Sequence, residues 1–144
     1  MPARFYKQDV TSGLRDKRKL SAYLDTLAQK HLKKLKKAGL TYIFCSDEAL
    51  LEINRQFLNH DTFTDIITFD LSENEEELTG EIYISTDRVK ENADKFKTDY
   101  KDELHRVIFH GALHLCGFKD KTKKDQEAMR RQEDKCLADY YKAK

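Results

Sequence analysis

Between residues 17 and 38, Leu20, Leu24, Leu27, His31 and Leu35 recur at steps of three and four, which lines one face of a helix. The spacing predicts a helix over Lys17–Ala38, with Gly39 standing as its C′ stop. Its last turns carry Lys33, Lys34, Lys36 and Lys37, where cations suit the helix dipole. Elsewhere the pattern turns β-branched, aromatic and alternating. Ala3–Val10 reads as a strand, as do TYIFCS (41–46), DIITFDL (65–71) and GEIYIS (80–85). SENEEELT, between the last two, reads as an exposed acidic turn or longer hairpin loop, and NHDTFT (59–64) as a polar loop. Further helices are predicted over Asp47–Phe57, capped by Ser46 or Asp47, and over Thr86–Phe96, capped by Thr86. Asp99–Cys116 forms another, ending at Gly117, and Thr122–Tyr141 opens on T-K-K-D, which resembles a capping box.

Strands and helices are mixed, so the class is α/β or α+β: a small mixed sheet of about four strands covered by about five helices. The strands at 65–71 and 80–85 suit an antiparallel pair. The path from 41–46 through a helix to 65–71 suits a parallel crossover. A chain of 144 residues with one proline, five glycines and no internal repeat predicts a single domain over residues 1–144.

Charged residues make up 37% of the chain, yet the net charge is only +1. Global charge therefore does not mark a nucleic-acid binder, and such a partner must meet a local patch. The lysine run is one candidate patch, although a solvated face is the commoner meaning of such a run. Cys45, Cys116 and Cys136 are odd in number and form no CxxC, which favours a reducing compartment. MPARFYKQDV has no apolar signal core, and no run of 18 apolar residues occurs. The expectation is a soluble cytoplasmic monomer without a membrane partner.

HGALHLCGFKDK (110–121) carries the chemistry. His110 and His114 are four residues apart, neighbours on one helical face. Gly117 can take the left-handed conformation that reverses the chain, which returns Asp120 toward His114. The helix is apolar on nearly every side, and two imidazoles buried there need partners. His110, His114 and Asp120 are thus candidate ligands of a metal with an open position at the end of a central helix. Zinc suits this donor set first, and nickel, cobalt or iron suit it by ligand type. A zinc-peptidase signature shares the spacing but places a glutamate after the first histidine, where this chain has Gly111. His105 lies roughly 140° around the helix and reads as structural. Cys116 and His31 read as core, and His60, in the polar loop, as a surface residue first and a substrate contact second.

HGALHLCGFKD resembles the hallmark H-G-x-L-H-L-x-G-[FY]-x-H of the YbeY-type bacterial endoribonucleases. LEINRQFLNHDTFTDIITFDL and GEIYIS are similar to two further stretches of that family, so the likeness runs from Thr41 to Tyr140. The resemblance implies a small α/β fold with one zinc per chain in a cleft. It implies hydrolysis of single-stranded RNA in ribosomal RNA maturation, at the 3′ end of the small-subunit RNA, and in ribosome quality control. RNA and the ribosome or its small subunit would be the partners. It also puts Thr64 and Asp65 at the cleft wall. Two positions depart from the family. Asp120 stands where a third histidine is usual, and a carboxylate makes a bound water less acidic than a third imidazole would. Leu58 stands where the family's cleft arginine falls. Arg55, one helical turn earlier, is the candidate to replace it in substrate binding or catalysis, with His60, Lys33, Lys34, Lys36 and Lys37 as further RNA contacts. The rival readings are another metallohydrolase, or a non-catalytic ribosome-associated factor whose metal only staples the fold.

Overall fold

A computed structural model describes residues 2–142; residues 1, 143 and 144 of the expected domain lie outside the described residues. The order is β1 (Ala3–Lys7), α1 (Lys17–His31), β2 (Lys37–Cys45), α2 (Asp47–Leu58), β3 (Ile66–Asp70), β4 (Glu77–Ser85), α3 (Thr86–Phe96), α4 (Tyr100–Leu115) and α5 (Lys123–Lys142). The strands form one mixed sheet in the order β1-β2-β4-β3. β1, β2 and β4 run parallel, and β3 closes the edge antiparallel to β4. The expected α+β class and the 65–71/80–85 hairpin are both present. The expected parallel crossover from 41–46 to 65–71 is not: β4 lies between those strands and pairs with both. The parallel crossover joins β1 to β2 through α1 instead.

The first helix is shorter than its spacing predicts. Leu32 leaves the helix with φ −115° and ψ 95°. The backbone N–H groups of Lys36 and Lys37 both donate to the Glu76 carbonyl, at 2.7 and 3.1 Å. From there the chain is a strand whose alternate side chains Ala38, Leu40, Tyr42 and Phe44 enter the core. Leu35 satisfied a helical spacing after His31, but pairing with β4 across nine residues overrides local propensity. Gly39 sits mid-strand opposite Thr79 and stops no helix. The same pairing extends β4 back to Glu77 and shortens the acidic loop. Asn74 Oδ1 accepts from the Glu76 and Glu77 amides and closes the turn.

One face of the sheet packs on α1 and α4 through Leu40, Tyr42, Phe44, Ile82 and Ile84. α2 packs a smaller cluster of Leu50, Ile67 and Cys45. Two contacts fix α4 against the sheet. The Tyr42 hydroxyl donates to the Ile108 carbonyl at 2.8 Å. Gly111 sits where an added Cβ would stand 3.0 Å from Ile66 and from Ile82, so a side chain there would push α4 off the sheet. The helix starts follow the cap signals with one shift. Ser46 caps α2 by accepting from the Ala49 amide, but Ser85, not Thr86, caps α3 through the Arg88 amide. Thr122 and Asp125 exchange the two bonds of the capping box before α5.

Candidate metal centre

α4 ends in a Schellman turn. The Phe118 amide donates to the Leu113 carbonyl and the Gly117 amide to the His114 carbonyl, both at 3.1 Å. Gly117 has φ +106°, a conformation that needs glycine. The reversal carries Asp120 back beside the helix, where its Oδ2 lies 3.4 Å from His110 Nε2. Gln126 Nε2 donates to the Asp120 carbonyl at 3.1 Å and ties this loop to α5.

Both imidazoles are oriented by bonds at Nδ1. His110 Nδ1 meets Glu133 Oε2 at 2.7 Å, and His114 Nδ1 meets the Phe118 carbonyl at 3.1 Å. Carboxylate and carbonyl oxygens only accept, so each ring carries its proton on Nδ1 and keeps Nε2 as the ligating nitrogen. Metal-bound histidines are characteristically held this way. Glu133 is itself fixed, accepting from Arg106 Nη1 at 3.0 Å, with only 8% of its side chain exposed. Burial pushes the His110 pKa down, but the Glu133 hydrogen bond and the charges of Glu133, Asp120 and Asp65 outweigh it, and the net direction is up. Burial likewise raises the Asp65 carboxyl above the usual range, against the pull of His110.

His110, His114 and Asp120 line one cavity of about 390 Å³ with Asn54, Leu58, His60 and residues 62–64 and 66–68. The loop over it is held by Asn54, whose Nδ2 donates to the Thr62 carbonyl at 2.8 Å. Two ligands sharing one tetrahedral zinc at about 2.0–2.1 Å stand about 3.4 Å apart, the separation of His110 Nε2 and Asp120 Oδ2. Among the described residues, no three His, Cys, Asp or Glu side chains converge on one ion position. The His110–Asp120 pair thus fits a metal by separation and donor chemistry, while His114 shares the cavity without closing on the same point.

The other expected residues divide: Asp65 is not in the cavity lining, while His60 and Thr64 line it, as does Leu58. Arg55 does not: its guanidinium pairs with Asp61 and, at 3.9 Å, with Glu52. The lysine run is not on a helix. Lys34 pairs with Glu75 and Lys36 with Glu76 on the acidic turn, Lys37 opens β2, and Lys33 and Lys34 line a different cavity. The cavity beside His110 has no lysine or arginine in its lining. Glu133, which holds the His110 ring, is the residue that the spacing argument missed. Its signal was a carboxylate within the buried stripe Met129, Glu133, Cys136 and Tyr140 of α5.

The family model described as endoribonuclease YbeY matches residues 6–141. A relative from Cytophaga hutchinsonii, named endoribonuclease YbeY, is 52% identical over 134 residues, covering 93% of this chain and 92% of its own length. One of the same name from Parabacteroides distasonis is 44% identical over 138 residues, covering 96% and 95%. The solution structure of a Thermotoga maritima protein has the same fold, with a TM-score of 0.61 and 25% identity over 96% of this chain and 89% of that one. With the motif, the sheet order and the histidine pair all found together over nearly the whole length, the chain belongs to the endoribonuclease YbeY family.

Proposed function

We propose that this protein hydrolyses phosphodiester bonds of single-stranded RNA with one zinc ion held by His110, His114 and Asp120. Family membership supports the reaction class, and the His110–Asp120 approach with Glu133 behind it is the observation that supports the metal. A bound zinc supplies a water of lowered pKa and polarises a phosphoryl oxygen. The protein's own part is positioning. Glu133 accepts a hydrogen bond from His110 Nδ1 and pins that ring. The Phe118 carbonyl does the same for His114. Asp120 contributes the anionic ligand from a loop fixed by Gly117 and Gln126. The cavity is open to a strand and lined by Phe63 and His60, which offer a stacking face and a polar contact. Ribosomal RNA, its maturation and the small subunit as partner belong to the same proposal. So do a cytoplasmic location and a monomeric state. No helix among the described residues is long and apolar enough to cross a membrane.

A peptidase reading fails on position 111, which faces Ile66 and Ile82 rather than the cavity. A metal that merely staples the fold is disfavoured because Asp120 and His114 lie outside the buried core clusters. The test is cleavage of a labelled single-stranded RNA by zinc-loaded protein. His114→Ala and Asp120→Ala are expected to abolish cleavage while retaining the fold. Undiminished cutting by both variants would sink the proposal.

A further inference from the structure

We infer that a second cavity, between the starts of α1 and α4 and the end of α5, binds a nucleotide, with its phosphate on Arg15, Lys19 and Lys101 and a donor group of its base on His105. The cavity is about 590 Å³ and shares no lining residue with the one beside His110. Lys101 and His114 are thirteen residues apart on one helix, about 20 Å along its axis.

Three observations point to this ligand. The first is charge. Arg15, Lys19 and Lys101 form no ion pair among the described residues, and Asp16 is the one carboxylate in the lining. The lysines are held without being neutralised: Lys19 Nζ lies 4.5 Å over the Tyr140 ring and Lys101 Nζ 5.4 Å over Tyr141. Neither helix has a side-chain cap, but Asp16 and Asp99 stand at the two N-caps and Asp102 and Glu103 follow in the first turn of α4, so the three cationic side chains and not the helix ends would hold an anion.

The second is His105, only 4% exposed. Its Nδ1 donates to the Lys101 carbonyl at 2.8 Å, which leaves Nε2 as an acceptor. Nε2 has no hydrogen-bond partner among the described residues, and the ring lines the cavity. That nitrogen is not closed off from the cavity, so it is an acceptor that a ligand donor can reach. An exocyclic amine of a base is such a donor, whereas a bare phosphate dianion is not. The third is shape and surface. Tyr100, Tyr141 and Leu104 give the walls aromatic and apolar area for a planar ring. Anion, ring and donor together describe a nucleotide, either free or as a unit of an RNA strand. The inference does not depend on the metal centre being active.

The test is titration of the full chain with adenosine 5′-monophosphate, followed by calorimetry and by the His105 ring resonances. A saturable shift at His105 is expected. Lys19→Gln/Lys101→Gln should weaken binding at least about tenfold, since each charge-assisted bond contributes about 1.5–3 kcal/mol and 1.4 kcal/mol is tenfold. Arg15→Gln, on the exposed loop, should weaken it in the same direction. A single-stranded oligoribonucleotide forms the second arm. Tighter binding of the oligonucleotide at His105 assigns an RNA strand, and tighter binding of the mononucleotide assigns a free nucleotide. The inference is overturned by no saturable shift at His105 with either probe, by a folded double variant that binds like wild type, or by inorganic phosphate binding as well as the nucleotide.

Discussion

Glu133→Gln probes the arrangement behind His110 most sharply. The wild-type carboxylate accepts from His110 Nδ1 at 2.7 Å and from Arg106 at 3.0 Å, in a nearly closed setting. The amide keeps an acceptor oxygen and the shape but loses the charge. A hydrogen bond to a charged partner is worth about 1.5–3 kcal/mol and a neutral one about 0.5–1.5, so the exchange costs about 1–1.5 kcal/mol of ligand orientation and basicity. That is about tenfold in zinc affinity, at the lower edge of the effect usual for partners behind a metal-bound histidine. Arg106 keeps Asp134 as a partner, so the fold should survive. The assay is competition for zinc against a chromophoric chelator at pH 7.5, with circular dichroism to verify folding. Glu127→Gln, an exposed change on the same helix, should leave affinity unchanged. A folded Glu133→Gln protein with wild-type affinity would refute the claim that this carboxylate prepares His110 for a metal.

Gly117→Ala should cost about 1–2 kcal/mol in chemical denaturation, from the left-handed backbone alone, since nothing lies within 4 Å of the added methyl. It should weaken zinc binding as well, because the turn places Asp120; unchanged stability would contradict the Schellman geometry. Burial lowers the His105 pKa, although the Lys101 carbonyl raises it in part. The unfolded chain therefore takes up this proton before the folded one, so His105 costs stability as pH falls below about 6.5. Relative to wild type, His105→Phe should gain stability between pH 7.5 and pH 5.5 in paired denaturation curves, and an unchanged difference would show that the ring is not buried neutral. Lys34→Gln/Lys36→Gln removes two exposed ion pairs and should alter stability by less than about 1 kcal/mol. The same variant should leave RNA cleavage constants unchanged, and a large rise in KM would return those lysines to the substrate path.

The candidate site was legible where it is local. His110, His114, Gly117 and Asp120 span a helix end, and a helix end has strict geometry: a four-residue step shares a face, and a glycine in the left-handed region turns the chain back. Glu133 comes from another helix, 23 residues after His110, and no local rule connects the two. Only its place in an apolar stripe marked it. The lysine run failed for a related reason. His31 and Leu35 fit a helix, while Ala38, Leu40, Tyr42 and Phe44 fit a strand, and the overlap was settled by pairing with β4, forty residues later. The insertion of β4 between β2 and β3 is likewise a non-local choice. Gly111 shows the reverse case. Its presence where a peptidase carries glutamate looked like a missing catalytic group, and the structure gives it a packing reason between α4 and the sheet.

The most direct test of the proposed three-ligand site is the zinc content of untagged protein purified without chelator, with wild type and Asp120→Ala measured side by side after both are shown to be folded. The account predicts about one equivalent in wild type and little in the variant. Equal zinc in both proteins, or a folded wild type that takes up none when zinc is added, would contradict it.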